Sequence, residues 1–212
     1  MAKILFRISC IAFVLTSLQA FSLEKVTSVE DKGEYFNKTE FRAAAFLPTD
    51  NSFRNVYGKL GTSLQIEQAR SWKNVPYLEL WGNVEWIFID SSNCGPRCFA
   101  DLDEVNFSIG LKVIGNVFRD IIYMYAGLGP DLGLIFIKNK MWNCNNCDNR
   151  VTIRDHERKL GVGGVAKSGV QFICTPNFFI DIFADYLYLP VHFHTTENVG
   201  GFKAGGALSA RY

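Results

Sequence analysis

From Glu40 to Tyr212 the hydrophobic pattern repeats every second residue, and this period excludes most folds. A helix that buries one side needs apolar residues three and four apart; a strand needs every other one. The clearest run is 77–89. There Leu78, Leu80, Gly82, Val84, Trp86 and Phe88 alternate with Tyr77, Glu79, Trp81, Asn83 and Glu85. The same period predicts strands at 40–47, 60–69, 104–113, 121–137, 158–172, 178–189 and 199–212. Eight strands is an even number, as single-chain bacterial barrels require. Most approach the ~9–11 residues that cross a bilayer at a tilt. The connections also alternate in length. Those at 70–74, 115–120 and 175–177 are short, while the others are longer, the longest being 138–157. Short periplasmic turns with longer external loops are the habit of an outer-membrane barrel. The expected fold is an all-β, eight-stranded, antiparallel up-and-down transmembrane barrel over 40–212.

The N-terminus reads as a secretory signal. Lys3 and Arg7 precede an apolar stretch at 8–18, and Ala20-Phe21-Ser22 offers a cleavage site. Residues 1–22 are therefore expected to be removed, and 23–39 to form a polar tail. No later stretch is apolar enough for a membrane helix, so the chain either stays soluble after export or crosses a membrane as strands. A net charge of +1 argues against a nucleic-acid binder, which would carry a basic patch.

The contents of the two faces separate a membrane barrel from a soluble one. One face of every strand is apolar. The other mixes Gly, Tyr and Trp with charges of both signs, as a narrow interior does. Glu40, Glu67, Glu79, Glu85, Asp131, Asp181 and Asp185 stand there against Arg42, Lys112, Lys159, Lys167, Lys203 and Arg211. An eight-stranded barrel has room inside for side chains but not for an open pore. These charges are expected to pair across the lumen, because isolated buried ions are costly. Trp86, Phe88, Tyr186, Tyr188 and Phe202 would mark the outer membrane interface. Trp72, Phe118, Phe172, Phe178 and Tyr212 would mark the inner one.

The last strand runs Lys203-Ala204-Gly205-Gly206-Ala207-Leu208-Ser209-Ala210-Arg211-Tyr212. It resembles the C-terminal assembly signal of outer-membrane barrels, with Lys203, Gly205, Leu208, Ala210 and the terminal Tyr212 in the matching places. From Glu40 onward the chain resembles the small barrels of the OmpA, OmpX and opacity type in pattern rather than in strong motifs. The stretches FRNVYG (53–58), DYLYLPVHFH (185–194) and GGFKAGG (200–206) are similar to barrel proteins of chlamydia-like intracellular bacteria. That resemblance implies an envelope protein with no assigned chemistry.

Cys94 and Cys98 fall in the second long connection, Cys144 and Cys147 in the third, and Cys174 near a short turn. Export to an oxidising compartment makes disulfides the first expectation for the four loop cysteines. Bridges within each loop and bridges between the loops both fit. The same thiolates also suit tetrahedral zinc. A lipid A deacylase on this fold uses His, Ser and Glu; His194, Thr196 and Glu197 echo that set faintly, with Thr a poor nucleophile. No catalytic, cofactor or metal set is assigned.

The expected role is non-enzymatic, in the cell envelope, either structural or through the external loops. The expected partners are outer-membrane lipid, the barrel-assembly machinery, and host or envelope proteins at the loops. The alternatives are a narrow channel for a small or hydrophobic solute, then a lipid A-modifying enzyme or a soluble ligand-binding barrel.

Overall fold

The computed structural model describes residues 35–90, 100–119, 121–142, 151–192 and 196–212. The expected signal peptide, most of the tail, Cys94, Cys98, Cys144, Cys147 and His194 lie outside them. The elements in chain order are β1 (Tyr35–Pro48), α1 (Asn51–Tyr57), β2 (Gly61–Trp72), β3 (Val75–Ile89), β4 (Ala100–Phe118) and β5 (Ile122–Trp142). They continue with β6 (Val151–Thr175), β7 (Phe178–Tyr188), β8 (Pro190–His192), β9 (Thr196–Asn198) and β10 (Gly201–Arg211). Eight of the strands close a barrel in the order β1-β10-β7-β6-β5-β4-β3-β2, while β8 and β9 form a separate two-stranded ribbon. Each barrel strand pairs antiparallel with its neighbours. The seam closes on β1, where Phe41 stands opposite both Leu208 of β10 and Ile66 of β2. Two backbone hydrogen bonds of 3.0 Å between Asn37 and Tyr212 extend that closure to the last residue.

The strands run further than the hydrophobic alternation shows. β1 starts at Tyr35, so the last residues of the expected polar tail belong to the barrel. Polarity did not exclude them from a strand, because a strand with one face in a charged lumen is free to carry Lys38 there. The turn after β2 shrinks from the expected 70–74 to Lys73-Asn74, and β4 continues to Phe118 instead of ending before Gly115. The largest correction concerns the connection expected at 138–157. β5 and β6 remain paired as far as Trp142 opposite Val151, so much of it is a hairpin extension.

One end of the barrel holds the short turns and the C-terminal strand end, and will be called the turn end. The opposite end holds α1, β8 and β9, and will be called the loop end. α1 is short, and its N-terminus is fixed by Asp50, whose carboxylate accepts from the amides of Ser52 (2.8 Å) and Phe53 (3.3 Å). Phe53 and Tyr57, one turn apart, stack with ring centroids 4.5 Å apart and bury against the barrel mouth. Gly58 ends the helix at φ 134°, a conformation that favours glycine. The second oxygen of Asp50 accepts from the Asn198 amide at 3.4 Å, linking the first connection to the last. Asp50→Ala is therefore expected to cost about 0.5–2 kcal/mol and to loosen both connections together. Limited proteolysis should then cut near α1 and near β8–β9 alike; cleavage confined to α1 would show that the link carries no load.

Candidate functional site

The outside of the barrel is apolar and the inside is charged, the inverse of a water-soluble protein. Leu128 is 70% exposed, Val162 66% and Leu160 61%. Phe107, Ile109, Leu111, Val113, Ile182 and Leu208 continue the belt around the strands. A water-facing surface rarely carries an apolar band of this extent, whereas lipid requires one. Trp86 and Phe88 stack at 5.4 Å, and Tyr186 and Phe202 at 4.8 Å, toward the loop end. Phe118, Phe178 and Tyr212 are exposed toward the turn end.

Inside, alternate positions of neighbouring strands bring the charges together. Glu67 of β2 is the hub. It is ion-paired to Lys112 of β4, to Lys167 of β6 at 2.7 Å, and to Arg42 of β1 at 3.4 Å. Arg42 also reaches Asp185 of β7 at 3.0 Å, donates to the Tyr125 hydroxyl at 2.9 Å, and lies 3.7 Å from the centroid of the Phe183 ring. Lys38 bridges Glu40 (2.9 Å) and Glu79 (3.0 Å) nearer the turn end. Lys203 of β10 pairs with Glu85 of β3 at 2.6 Å, and Ser63 donates to the other oxygen of Glu85 at 2.6 Å. All of these charged groups are buried. A buried charge survives only with close partners, and here most cations hold more than one acceptor.

Not every expected member joins this web. Asp131 and Asp181 are buried with no cation within ion-pair distance among the described residues; Asp131 accepts from Ser108, and Asp181 accepts from the Tyr125 hydroxyl at 2.7 Å. Lys159 is half-buried opposite Ile135, on the loop-end side of the charged layer. Arg211 is half-buried at the turn end, stacked 4.7 Å over Phe179 and 5.7 Å over Phe36. Sequence reasoning also missed three contributors. Lys38 was assigned to the tail, Glu104 opened the strand expected at 104–113 without being counted among the lumen charges, and Tyr125 was not named in the network.

A second, apolar layer closes the loop end. Phe46, Phe53, Ile87, Ile89, Leu102, Ile135, Ile137, Leu187, Leu189, Val191 and Val199 form one buried cluster. Beyond β7, Leu189 and Val191 pack inward, and two glycines make room for them. A Cβ at Gly133 would lie 2.4 Å from the Leu189 side chain, and one at Gly161 2.9 Å from that of Val191. Asn198 anchors the segment, accepting from the amides of Leu189 (2.9 Å) and Gly200 (3.1 Å) and donating to Thr49 (3.2 Å). Burial pushes the Tyr57 hydroxyl up to about 12, with Glu197 and Glu157 adding to the effect. The phenol at the mouth therefore stays neutral at physiological pH.

His192 Nδ1 stands 3.2 Å from the Thr196 hydroxyl across the β8–β9 ribbon, both residues exposed. Of the expected deacylase echo, only Thr196 and Glu197 lie within the described residues. Cys174 is a free, exposed thiol. Among the described residues no group of three or more His, Cys, Asp or Glu side chains is placed to hold a metal.

An apolar belt around a charged, side-chain-filled interior defines a small transmembrane β-barrel. No family model and no curated protein sequence matches the chain. Solved structures do match it. Neisserial surface protein A aligns over 84% of this chain and 96% of its own at 14% identity and TM-score 0.59. The outer membrane protein OprG of Pseudomonas aeruginosa aligns over 84% and 95% at 8% identity and TM-score 0.52. At such identities the likeness is one of fold.

Proposed function

We propose that this chain is an outer-membrane protein with a non-enzymatic role in the envelope, exercised by its loop end, and with a lumen that does not conduct. The filling of the interior along its length carries this reading. Buried ion pairs occupy the charged layer, and the apolar cluster closes the loop end above them. A conducting pore needs a continuous wet path, and buried ion pairs under an apolar cluster argue against one. The name of one solved neighbour, the outer membrane protein OprG, supports the location. Export is assigned to residues 1–22. Delivery through the barrel-assembly machinery is assigned to Lys203, Gly205, Leu208, Ala210 and Tyr212 of the C-terminal strand. The loop end is then the surface offered to host or envelope partners.

Two measurements test this. Cells expressing the full chain are fractionated, and the membrane fraction is run unheated and heated on a gel. Outer-membrane recovery with heat-dependent mobility is expected, and recovery in the soluble periplasm would sink the location. In planar bilayers the purified protein is expected to give no stable conductance steps; regular steps would make the narrow channel the better reading.

A further inference from the structure

At the turn end the outer wall of the seam changes character. On β1, Lys38 and Glu40 are buried in the lumen, so Tyr35, Asn37 and Thr39 face outward. On β2 the same alternation turns Gln68 and Arg70 outward. Toward the loop end this strip runs into the apolar belt through Phe41, Ile66 and Leu208. Toward the turn end it is polar and tied together. Thr39 donates to Gln68 at 2.7 Å, and Gln68 donates to the Tyr212 hydroxyl at 2.9 Å. Hydrocarbon would penalise these polar groups, so the strip belongs at the headgroup level, where the rings of Tyr35, Trp72 and Tyr212 also belong.

Arg70 is the charged member of this strip, and it stands directly opposite Asn37 in the register. Its Nε donates to Asn37 Oδ1 at 3.1 Å, and its Cζ lies 4.4 Å from the centroid of the Tyr35 ring. These two contacts orient an exposed guanidinium. They use one edge and one face of it and leave the two Nη groups over. Among the described residues no carboxylate lies within ion-pair distance of Arg70, and no acceptor meets its Nη groups. The surroundings are basic as well. Lys73, in the turn that follows, lies 5.6 Å over Phe36, Arg211 lies 5.7 Å over the same ring, and Arg119 lies 5.3 Å over Phe118. Glu40 and Glu79, on nearby inward positions, are buried and bound to Lys38.

We propose that Arg70, oriented by Asn37 and Tyr35, binds the phosphate of one glycerophospholipid in the leaflet at the turn end, with the acyl chains lying on Phe41, Ile66 and Leu208. The proposal rests on the barrel crossing a membrane, as read above. Two parallel Nη–H groups match two phosphate oxygens, a bidentate pairing that a lysine cannot make. The local surplus of positive charge favours an anion. Position selects a lipid headgroup over a soluble phosphate, because the guanidinium stands on the lipid-facing wall, continuous with the apolar belt. The bound lipid covers the seam where β1 meets β2 and β10.

The test uses the full-length protein extracted from membranes in detergent, with heat-dependent mobility identifying the folded fraction. Native mass spectrometry then compares retention of dioleoylphosphatidylglycerol with that of dioleoylglycerol, which has the same chains and no phosphate. The wild type is expected to retain the phospholipid about tenfold better. Arg70→Ala should abolish that preference, and Arg70→Lys should restore only part of it. Arg119→Ala, which removes an exposed cation elsewhere at the turn end, should leave it unchanged. Inorganic phosphate in large excess should not displace the lipid. Equal retention of the two lipids by the folded wild type would overturn the proposal, even if no variant assembles. An undiminished preference in folded Arg70→Ala would overturn it too, and displacement by inorganic phosphate would replace the lipid with a free anion. Fractionation reads the cellular location separately, so the two readings can fail independently.

Discussion

Glu67→Ala should cost about 3–5 kcal/mol of barrel stability, the penalty for removing one partner from a buried ion cluster. Glu67 is fully buried and serves three cations, Lys112, Lys167 and Arg42. Arg42 retains Asp185 at 3.0 Å, and Lys167 is left with Asp185 at 3.7 Å. Lys112 loses most, since its other acid, Glu40, is 4.0 Å away. The loss should therefore trace mainly to Lys112. Glu67→Gln, which keeps the volume, should be nearly as damaging as alanine. Adding Lys112→Met to Glu67→Gln should recover part of the loss, because it removes the stranded charge and keeps the chain length. Urea unfolding followed by tryptophan fluorescence in lipid or detergent measures all three variants. An unchanged midpoint for Glu67→Gln would mean that the ion pairs hold nothing together. A double variant no better than the single would mean that Lys112 is not the stranded group.

The second large effect is expected at the cap. Leu189 is 0% exposed, and its side chain packs where Gly133 and Gly161 leave space. Truncating a buried leucine costs about 2–5 kcal/mol. Leu189→Asp adds an unpaired carboxylate among apolar neighbours. The chain from Leu189 through β9 should then leave the mouth while the barrel strands stay paired, because β7 ends at Tyr188 and the barrel ladder does not pass beyond it. External protease on intact cells should cut the variant there and spare the wild type, with heat-dependent mobility retained in both. Conductance in planar bilayers should stay absent if the ion-pair layer alone closes the lumen. Equal protease resistance in the two proteins would refute the cap as a packed element.

Much of the barrel was legible because a strand with unlike faces writes its period into the sequence. Arg42, Glu67, Glu79, Glu85, Lys112, Lys167, Asp185 and Lys203 all stood on the polar face of a period-two run, and alternation alone turns them inward. The strand ends were not legible. At Lys38 and Glu104 the alternation fades, and polar residues at a strand end look like loop. The apolar cap left a signal that went unread. Trp86-Ile87-Phe88-Ile89, Leu134-Ile135-Phe136-Ile137 and Leu187-Tyr188-Leu189 are apolar at both parities. Such runs mark strand segments dry on both sides, which here means lipid outside and a plug inside. α1 carried a capping Asp50 and a C-terminal Gly58, but it is too short for a periodic pattern to declare itself.

The sequence by itself determined that strands cross the membrane, how many there are, and which side chains face inward. Those properties follow from local alternation and from the rule that lipid tolerates no unpaired backbone. The tertiary structure alone decided which charges meet. Glu67 and Lys167 are 100 residues apart, and Arg42 and Asp185 are 143 apart. Their meeting depends on barrel closure and register, which no local pattern contains. The same holds for the carboxylates left over. Each strand carries a tolerable mixture of charges, and only their assembly across β3, β4 and β5 leaves Glu104 and Asp131 outside the ion pairs, with Asn106 and Ser108 as their hydrogen-bond donors.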